Sequence, residues 1–395
     1  MTFSCPTLSA DLTPTNEWRT WREREFPVFR AKCFLNHGAV SALPRVVADA
    51  IAAYAHEGST LGQSELARRD VYDECKARAA QLIGWGAQAS EIAFCGSTSH
   101  ALATVATSLP WQPGDNCVVV YGDFPTNVLA WRNLEKTHGV ECRMVPSRDA
   151  MDVTTEEILS YVDERTRIVS VATCNFLSGR TFLLQPLRDA LRARGVLLCA
   201  DAIQTLGATQ LDALPDFVCA DAHKWLLGPN GIALLWVSST VLPQLHPMML
   251  GWLAVADREN WFSYSLEPHP TAERFEPGAH NMLGIFGLHA ALQLLLAADP
   301  PAIEARVTAL RDYAAAQLQA AGCRLLWTPD SALKGGIVTF QPQRETSQAC
   351  FERLQARFEL SPRTDRNGEG WVRISPHFMN DAGDIDALIA ALNEG

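Results

Sequence analysis

Four short segments of the chain contain residue types that can bind and activate a small anionic ligand. At 94–101 the sequence FCGSTSHA places hydroxyl residues just before an apolar helical pattern, and backbone N–H groups at such a helix start favour an anion such as phosphate. Asp201 ends an apolar run, where a carboxylate is costly unless it meets a cation or several donors. Lys224 follows a second apolar run in the sequence DAHKW, and Arg373 lies within the apolar sequence WVRIS.

Each of these residues also has an ordinary structural interpretation. The hydroxyl residues and Asp201 could cap helices, Lys224 could be a surface lysine, and Arg373 could belong to an internal ion pair. The combination is more specific than any one residue. An apolar setting favours a neutral lysine, which can form a Schiff base with an aldehyde, and a guanidinium group can form two parallel hydrogen bonds to a carboxylate. A phosphate cradle, an anion for a ring nitrogen, this lysine and this arginine together predict pyridoxal 5′-phosphate and an amino-acid substrate.

The elements around these residues alternate between strands and helices. Apolar runs typical of buried strands lie at 117–123, 167–176, 195–201, 217–220 and 231–237, and helical patterns lie between them at 125–138, 154–163 and 186–194. This alternation predicts a mostly parallel sheet with helices on both faces, which binds ligands beyond the carboxyl ends of its strands. Lys224 follows Asp201 by 23 residues, a distance that fits one strand–helix–strand step, so both residues are expected in one cleft.

The pattern changes after about residue 265. Helical patterns at 283–298, 301–321, 347–358 and 382–393 alternate with apolar strands at 336–341 and 371–375, which predicts a smaller α+β domain. The segment 363–370 is rich in Gly, Asp and Arg and is predicted to be an exposed loop. We therefore expect an N-terminal segment at 1–33 that packs on the small domain, a large cofactor domain at 34–265, and a small C-terminal domain at 266–395.

Composition and missing motifs exclude several classes of protein. The chain has 395 residues and 33 Lys+Arg against 44 Asp+Glu, so its net charge is −11, which disfavours nucleic acid as a partner. Residues 1–10 do not form a signal peptide, and the apolar strand at 232–237 is too short for a membrane span, so we expect no membrane partner. No phosphate loop, dinucleotide fingerprint, zincin motif or serine-hydrolase elbow occurs.

The eleven cysteines are at least 20 residues apart, so the chain contains no Cys-x-x-Cys pair. Several of them lie inside apolar runs, which is typical of buried free thiols in a reducing compartment. We expect no metal site and a cytoplasmic location.

The sequence resembles the class V aminotransferase family of pyridoxal-phosphate enzymes, which includes cysteine desulfurases, selenocysteine lyases, kynureninases and isopenicillin N epimerases. The resemblance extends from FLNHGAV at 34–40 to VRIS at 372–375, and its strongest motifs are Asp201 with Gln204 and the sequence AHKW at 222–225. It implies an α/β fold of the aspartate aminotransferase type (fold type I), with a mostly parallel seven-stranded sheet and a small α+β C-terminal domain. It also implies a homodimer whose cleft lies at the subunit boundary.

The resemblance also assigns roles to individual residues. Lys224 is expected to hold the cofactor and move the Cα proton, and Asp201 is expected to pair with the ring nitrogen. The residues expected to bind the cofactor are Thr98, Ser99, Phe124, Asn127, Asn175, Asp201, Gln204, His223, Lys224, Ala279 and His280. Those expected to face the substrate are Arg373, which binds its carboxylate, and Asn36, His37, His100 and Trp252, which are candidates for the side-chain pocket.

The chain departs from the family pattern at three places. Phe124 occupies the segment where desulfurases carry a ring-stacking histidine, which makes it the candidate stacking residue. The turn that often supplies a threonine to the partner subunit's phosphate reads PGAHN at 277–281, which leaves only backbone N–H groups, such as that of Ala279, or the side chains of His280 or Asn281 for that contact. The loop at 361–368 holds no cysteine, and Cys350 lies 23 residues before Arg373. Persulfide-forming desulfurase chemistry is therefore disfavoured.

These features predict an enzyme that abstracts the Cα proton of an amino acid. The favoured outcome is elimination by a lyase, with transamination next and epimerisation as a further alternative. A non-catalytic protein that binds pyridoxal phosphate is a remote alternative, because Lys224 and Asp201 are both present. A nucleotide-dependent dehydrogenase is weakened by the missing glycine fingerprint.

Overall fold

The computed structural model describes residues 5–8, 10–63, 69–148, 152–330 and 333–394, and it does not describe the side chain of Arg69. The strands are β1 (Cys33–Phe34), β2 (Ile92–Cys95), β3 (Asn116–Val120), β4 (Glu141–Val145), β5 (Thr166–Ala172), β6 (Leu197–Asp201), β7 (Phe217–Asp221), β8 (Ala233–Val237), β9 (Arg324–Leu325), β10 (Val338–Gln341), β11 (Phe358–Glu359), β12 (Ser361–Thr364) and β13 (Gly370–Ile374). The α-helices are α1 (Asn16–Glu25), α2 (Arg45–Leu61), α3 (Arg69–Ile83), α4 (Thr98–Ser108), α5 (Thr126–Thr137), α6 (Thr155–Leu159), α7 (Leu184–Arg192), α8 (Met282–Ala297), α9 (Pro300–Ala320), α10 (Ser347–Leu354) and α11 (Ala382–Asn393).

A seven-stranded sheet with the order β2-β8-β7-β6-β5-β3-β4 forms the larger part of the fold. Strands β3 to β7 pair in parallel, and β8 lies antiparallel between β2 and β7. All strands of this sheet except β8 therefore run in one direction and end at the same edge. The mostly parallel sheet predicted from the sequence is confirmed.

The continuous apolar runs of these strands arise because both faces of the sheet are covered. In β7, Val218 and Ala220 pack into the core on one face, while Phe217 and Cys219 pack into the core on the other face. Helix α7 shows the complementary pattern, since it buries Leu184, Leu187 and Leu191 along one side. A parallel sheet between two helical layers requires this composition.

The C-terminal residues build a second sheet with the order β12-β13-β10-β9 and a separate apolar core with α9, α10 and α11. The loop predicted at 363–370 is wrong at both ends, because Arg363 and Thr364 belong to β12 and Gly370 begins β13. Only the turn between them, at 365–369, is outside the strands.

The N-terminal segment is joined to this C-terminal sheet region. Strand β1 pairs in parallel with β11, and Arg22 forms ion pairs with Asp381 and Asp384 at 2.9 and 3.0 Å. The predicted domain boundary near residue 265 stays a prediction, and α8, which follows it, packs against α2 and α3 of the larger part.

No single helix within the described ranges is long and apolar enough to span a bilayer. The helices α8 and α9 meet the length and composition criteria only as a pair, and their axes bend by 82° at the break between them.

Candidate active site

The carboxyl ends of five strands surround one cavity of about 460 Å³. The residues after β2, β3, β5, β6 and β7 form most of its wall, and the segment at 38–40 and two arginines from the C-terminal sheet complete it. Among the predicted residues, the cavity brings together Thr98, Ser99, Phe124, Asn127, Asp201, Gln204, His223, Lys224 and Arg373. Its volume is typical of a site for a small-molecule ligand.

The start of α4 forms one end of this wall. The Ser97 hydroxyl caps the helix by accepting a hydrogen bond from the His100 N–H at 3.1 Å. The buried Thr98 hydroxyl accepts a hydrogen bond from the Asp221 N–H at 2.9 Å, and the exposed Ser99 hydroxyl accepts one from Thr126 at 2.6 Å. These contacts fix both predicted hydroxyl groups at a helix N-terminus, where backbone dipoles favour an anion.

The imidazole of His223 is held by an aspartate on the same strand end. His223 Nδ1 lies 2.7 Å from Asp221 Oδ1, and the other oxygen of Asp221 accepts a hydrogen bond from the Thr98 N–H at 3.4 Å. A carboxylate at Nδ1 favours the tautomer that carries a proton there. Asp221 thus positions both His223 and the first turn of α4.

Two further carboxyl groups face the middle of the cavity. Asp201 at the end of β6 is buried, and its Oδ1 accepts a hydrogen bond from the Ile203 N–H at 3.0 Å. Burial raises the pKa of Asp201, and the hydrogen bonds from Ile203 and Asn127 and the nearby Lys224 offset only part of this rise. The pKa of Asp123 is raised to about 7 by burial and by the nearby Asp201, and Asn127 Nδ2 donates to Asp123 at 3.1 Å. The pair is suited to a cationic ring group.

The amine of Lys224 points towards the same space. Burial and the neighbouring Arg373 lower the pKa of Lys224 to about 8, so a substantial fraction of this amine is neutral near physiological pH. Its Nζ lies 5.8 Å from the centre of the Phe124 ring. A neutral lysine of this kind can act as a nucleophile or as a base.

Arg373 is buried, with 1% of its surface exposed. Its Nη1 donates a hydrogen bond to the Phe176 carbonyl, whereas its Nε and Nη2 have no hydrogen-bond partner within the described residues. Burial and the nearby Arg363 hold the pKa of Arg373 well below its usual range. Unpaired donors on a buried guanidinium group are costly, and a carboxylate in the cavity would satisfy them.

Gln204 and Phe124 lie at other positions on the wall. Gln204 Nε2 donates to the Gly38 carbonyl at 3.0 Å, and its Oε1 accepts from Trp225 Nε1 at 2.8 Å, so both ends of the amide are fixed. Phe124 is 44% exposed and packs edge-on against Phe176 at 5.3 Å between ring centres. Phe124 is therefore part of the cavity surface and not of the apolar core.

The structure places Asn175 beside the main cavity and not on its wall. Its Oδ1 accepts hydrogen bonds from the Leu177 and Ser178 N–H groups at 3.0 and 2.8 Å, while its buried Nδ2 has no partner within the described residues. Asn175 lines a neighbouring cavity of about 260 Å³ that shares Asp123 with the first.

Three residues predicted for the side-chain pocket do not reach the cavity wall. His37 is buried among aromatic rings and bonds Ser41, and burial together with His377 holds the pKa of His37 well below its usual range. Asn36 donates to the Leu360 carbonyl at 3.3 Å, and His100 Nδ1 accepts a hydrogen bond from the Gly96 N–H at 3.2 Å. The residues that follow Asn36 and His37, at 38–40, line the cavity instead.

Trp252, Ala279 and His280 also lie away from the cavity of their own chain. Trp252 is 57% exposed and contacts Trp261 in a separate surface groove. His280 Nε2 lies 2.6 Å from the buried carboxylate of Glu276. The role that the resemblance assigns to Ala279 and His280, towards a partner subunit, stays a prediction.

Among the charged residues of the wall, sequence reasoning missed three, which are Asp123, Asp221 and Arg363. Both aspartates come at or just after the end of a parallel strand, where polar residues often face a ligand. Arg363 could have been found from the Asn367–Gly368 pair, which is a strong hairpin signal and predicts that the segments on both sides of it pair as strands.

Comparisons with known proteins show the family of the chain. The family model described as aminotransferase class-V matches residues 33–388. A probable cysteine desulfurase from Methanothermobacter thermautotrophicus is 30% identical over 280 residues, which cover 69% of this chain and 68% of that protein.

Two solved structures share the fold of the chain. The cysteine desulfurase CsdA from Escherichia coli has a TM-score of 0.82 at 19% identity, covering 97% of this chain and 98% of that one. The cystine C–S lyase C-DES, solved with its reaction product cysteine persulfide, has a TM-score of 0.81 at 20% identity, covering 93% and 98%. The predicted α/β fold type I is confirmed.

Proposed function

Because the chain belongs to the class V aminotransferase family of pyridoxal-phosphate-dependent enzymes, we propose that it is a lyase that eliminates a side-chain group from an α-amino acid. The observation that carries this proposal is one cavity that holds Lys224 and Arg373 but whose wall, within the described residues, has no accessible, reactive cysteine. The predicted family and cofactor are confirmed by the family match, whereas the type of reaction is our inference.

The residues of the cavity fit pyridoxal phosphate at three points. The helix start at Thr98 and Ser99 suits the phosphate, and buried Asp201, whose pKa is raised by burial, suits a protonated ring nitrogen. Lys224, with its lowered pKa, suits the aldehyde. Bound pyridoxal phosphate supplies an aldehyde that holds the substrate amino group and a ring that accepts the electron pair left at Cα.

The chain's own residues bind the substrate and move its proton. The unpaired Nε and Nη2 of Arg373 bind the α-carboxylate and so orient the Cα–H bond. Lys224 Nζ takes the proton from Cα, and the bond from Cβ to the leaving group breaks with its electron pair on that group. With pyridoxal phosphate bound, the Asp201 carboxylate would hold positive charge on the ring nitrogen, which favours removal of the proton.

The cysteines support a lyase over a persulfide-forming desulfurase. All eleven lie in the described part of the chain, and none forms a disulfide. Cys174 is the cysteine on the cavity wall, and it is 2% exposed with its pKa raised to about 12 by burial. Because the thiolate is the nucleophile, Cys174 is unsuited to attack a substrate sulfur.

We further propose that the chain acts as a homodimer, since Ala279 and His280 do not line their own cavity and the resemblance assigns them to the phosphate of a partner subunit. The exposed Trp252 and Trp261 provide apolar surface for such an interface.

The experiment that tests the reaction type is an amino-acid panel with the purified holoenzyme. We expect release of ammonia and a keto acid from at least one amino acid that carries a leaving group at Cβ, such as cysteine, cystine or serine, without an added keto acid. Turnover only after addition of a keto acid would show a transaminase instead. Loss of optical rotation without ammonia release would show an epimerase.

The uptake of pyridoxal phosphate by the apoenzyme is expected to depend on pH through Lys224. Only the neutral amine attacks an aldehyde, and its pKa is lowered to about 8, so the uptake rate should rise with pH and level off above about pH 8. Stopped-flow absorbance between pH 6 and pH 10 measures this rate. Arg373→Leu removes a neighbouring positive charge that lowers this pKa, so its profile should move to higher pH. A rate that does not change over this range would contradict the role of Lys224.

A further inference from the structure

Three consecutive backbone carbonyls, those of His223, Lys224 and Trp225, are bound by residues from distant parts of the chain. Ser41 donates its N–H to the His223 carbonyl at 2.8 Å and its hydroxyl to the Lys224 carbonyl at 2.6 Å. His377 Nε2 lies 3.0 Å from the Trp225 carbonyl. We call residues 223–225 the lysine turn. Its backbone is therefore held on one side by the segment after β1 and on the other side by the segment after β13.

The hydrogen bonds of Ser41 determine which nitrogen of His37 carries a proton. His37 Nδ1 lies 2.8 Å from Ser41 Oγ. Ser41 has one hydroxyl proton, and the Lys224 carbonyl, which can only accept, receives it. The N–H at Nδ1 of His37 therefore donates to Ser41. A hydrogen-bond chain thus leads from His37 through Ser41 to the backbone of Lys224.

His377 is held in the opposite tautomer. Its Nδ1 accepts a hydrogen bond from the Phe378 N–H at 2.7 Å, so its Nε2 carries the proton and donates to the Trp225 carbonyl. Burial and the nearby His377 hold the pKa of His37 well below its usual range, and burial lowers the pKa of His377 to about 4. Both rings are therefore neutral near physiological pH and carry the single N–H that these contacts require.

Neither histidine lines the cavity. His37 is 1% exposed, His377 is fully buried, and their ring centres are 5.3 Å apart. The Nε2 of His37 is buried without a hydrogen-bond partner among the described residues. An unpaired buried nitrogen costs free energy that an apolar ring of similar size would not cost. The hydrogen bond to Ser41 is the feature that accounts for a histidine at this position.

The amine of Lys224 depends on this support from the backbone. Its Nζ forms no hydrogen bond or ion pair with the described residues. The place of Nζ in the cavity is therefore set by the backbone from which the side chain extends. A displacement of about 1 Å at a reacting group can lower a rate by about 10²-fold.

We propose that His37, Ser41 and His377 are positioning residues for Lys224, which hold the lysine turn so that Nζ meets the aldehyde of pyridoxal phosphate. This inference rests on the proposed function, because it takes Lys224 to be the residue that binds the cofactor. It does not depend on which reaction the enzyme then performs. The three residues act through the backbone of Lys224, and none of them lines the cavity.

The test measures uptake of pyridoxal phosphate by the apoenzyme, by stopped-flow absorbance over a range of pH. The wild-type rate is expected to level off above about pH 8, where the amine is neutral. We expect His37→Leu, Ser41→Ala and His377→Leu each to lower this plateau rate about 10- to 100-fold, because the amine is misplaced. The midpoint of the pH profile should stay in place, since none of these variants removes a charged group that shifts the pKa of Lys224.

Conservative variants separate positioning from packing. The amide nitrogen of Asn can take the place of Nδ1, and that of the longer Gln can take the place of Nε2. His37→Asn and His377→Gln should therefore recover most of the plateau rate, whereas His37→Gln and His377→Asn should stay slow. His56→Leu is the matched control and should behave as wild type, because His56 is exposed on α2 and lines no part of the cavity.

Two results would overturn the inference and leave the proposed function intact. The first is a wild-type plateau rate in any one of His37→Leu, Ser41→Ala and His377→Leu. The second is a His37→Asn variant as slow as His37→Leu, which would assign the effect to packing. A wild-type apoenzyme that takes up no pyridoxal phosphate would overturn the role of Lys224 as well.

The melting temperature of each variant shows whether a slow uptake arises from unfolding. Ser41→Ala removes a single hydroxyl group and leaves both rings in place, so it tests the chain to Lys224 even if a histidine variant does not fold. Its plateau rate then decides the inference alone.

Discussion

Replacing Lys224 by alanine is expected to lower kcat by about 10²- to 10⁴-fold, because the variant loses the amine that takes the Cα proton, and a positioned base contributes about this much. The fold should persist, since Lys224 forms no hydrogen bond or ion pair through its amine with the described residues. The purified variant should also lose the visible absorbance of covalently held cofactor, because no other lysine in the described ranges lines the cavity.

The measurement compares ammonia release and absorbance spectra of wild type, Lys224→Ala and a control, Lys136→Ala. Lys136 is exposed on α5 and lies outside the cavity, so its replacement removes a charge without touching the site. A Lys224→Ala enzyme that retains full colour and more than about a tenth of wild-type kcat would exclude Lys224 as the base.

Replacing Arg373 by leucine is expected to raise KM for amino-acid substrates about 10²- to 10³-fold, since truncating one side of a buried charge pair costs about 2–5 kcal/mol. The same variant should be no less stable than wild type without ligand. The variant removes the charged group of a residue that is 1% exposed in the wild type, where two nitrogen atoms of Arg373 have no partner among the described residues.

Steady-state kinetics and thermal melts of the apoenzyme test the two halves of this prediction together. If the KM of Arg373→Leu is unchanged, Arg373 does not bind the carboxylate. If the melting temperature falls by several degrees, losing the hydrogen bond from Arg373 to the Phe176 carbonyl destabilises the fold more than removing the buried charge stabilises it. Arg344→Leu is a suitable control for the effect of losing one surface arginine.

The sheet and the centre of the site could be predicted from the sequence for a simple physical reason. Strands covered on both faces read as short apolar runs, and the polar residue that ends each run faces the ligand edge. Asp201 and Lys224 both obey this rule, at the end of β6 and just beyond the end of β7. The helix expected between them is wrong, because residues 202–216 form turns and no α-helix, but β6 and β7 pair in parallel and so bring Asp201 and Lys224 to the same edge of the sheet.

The residues that sequence reasoning misplaced depend on tertiary packing. His37 and Asn36 precede the cavity wall by only one or two residues, but the parallel bridge between Asn36 and Ser375 turns this segment so that Gly38 faces the cavity. Gly38 donates its N–H to Ser375 Oγ at 2.8 Å, a contact between residues 337 positions apart that no local pattern reveals. Arg363 was missed because a segment rich in polar residues and glycine resembles a loop even when it forms the edge strand of a hairpin.

The pairing of β1 with β11 has a consequence for the order in which the site is completed. Cys33 is opposite Phe358, so the first strand of the chain must wait for a partner 325 residues later. At synthesis rates of about 5–20 residues per second, this interval is roughly 16–65 s on the ribosome. The segment at 38–40 that follows β1 is part of the cavity wall, and Arg373 comes later still. A nascent chain can therefore contain Lys224 and the whole seven-stranded sheet while part of the cavity wall is still missing. The cavity becomes complete only after Arg373 has been synthesised.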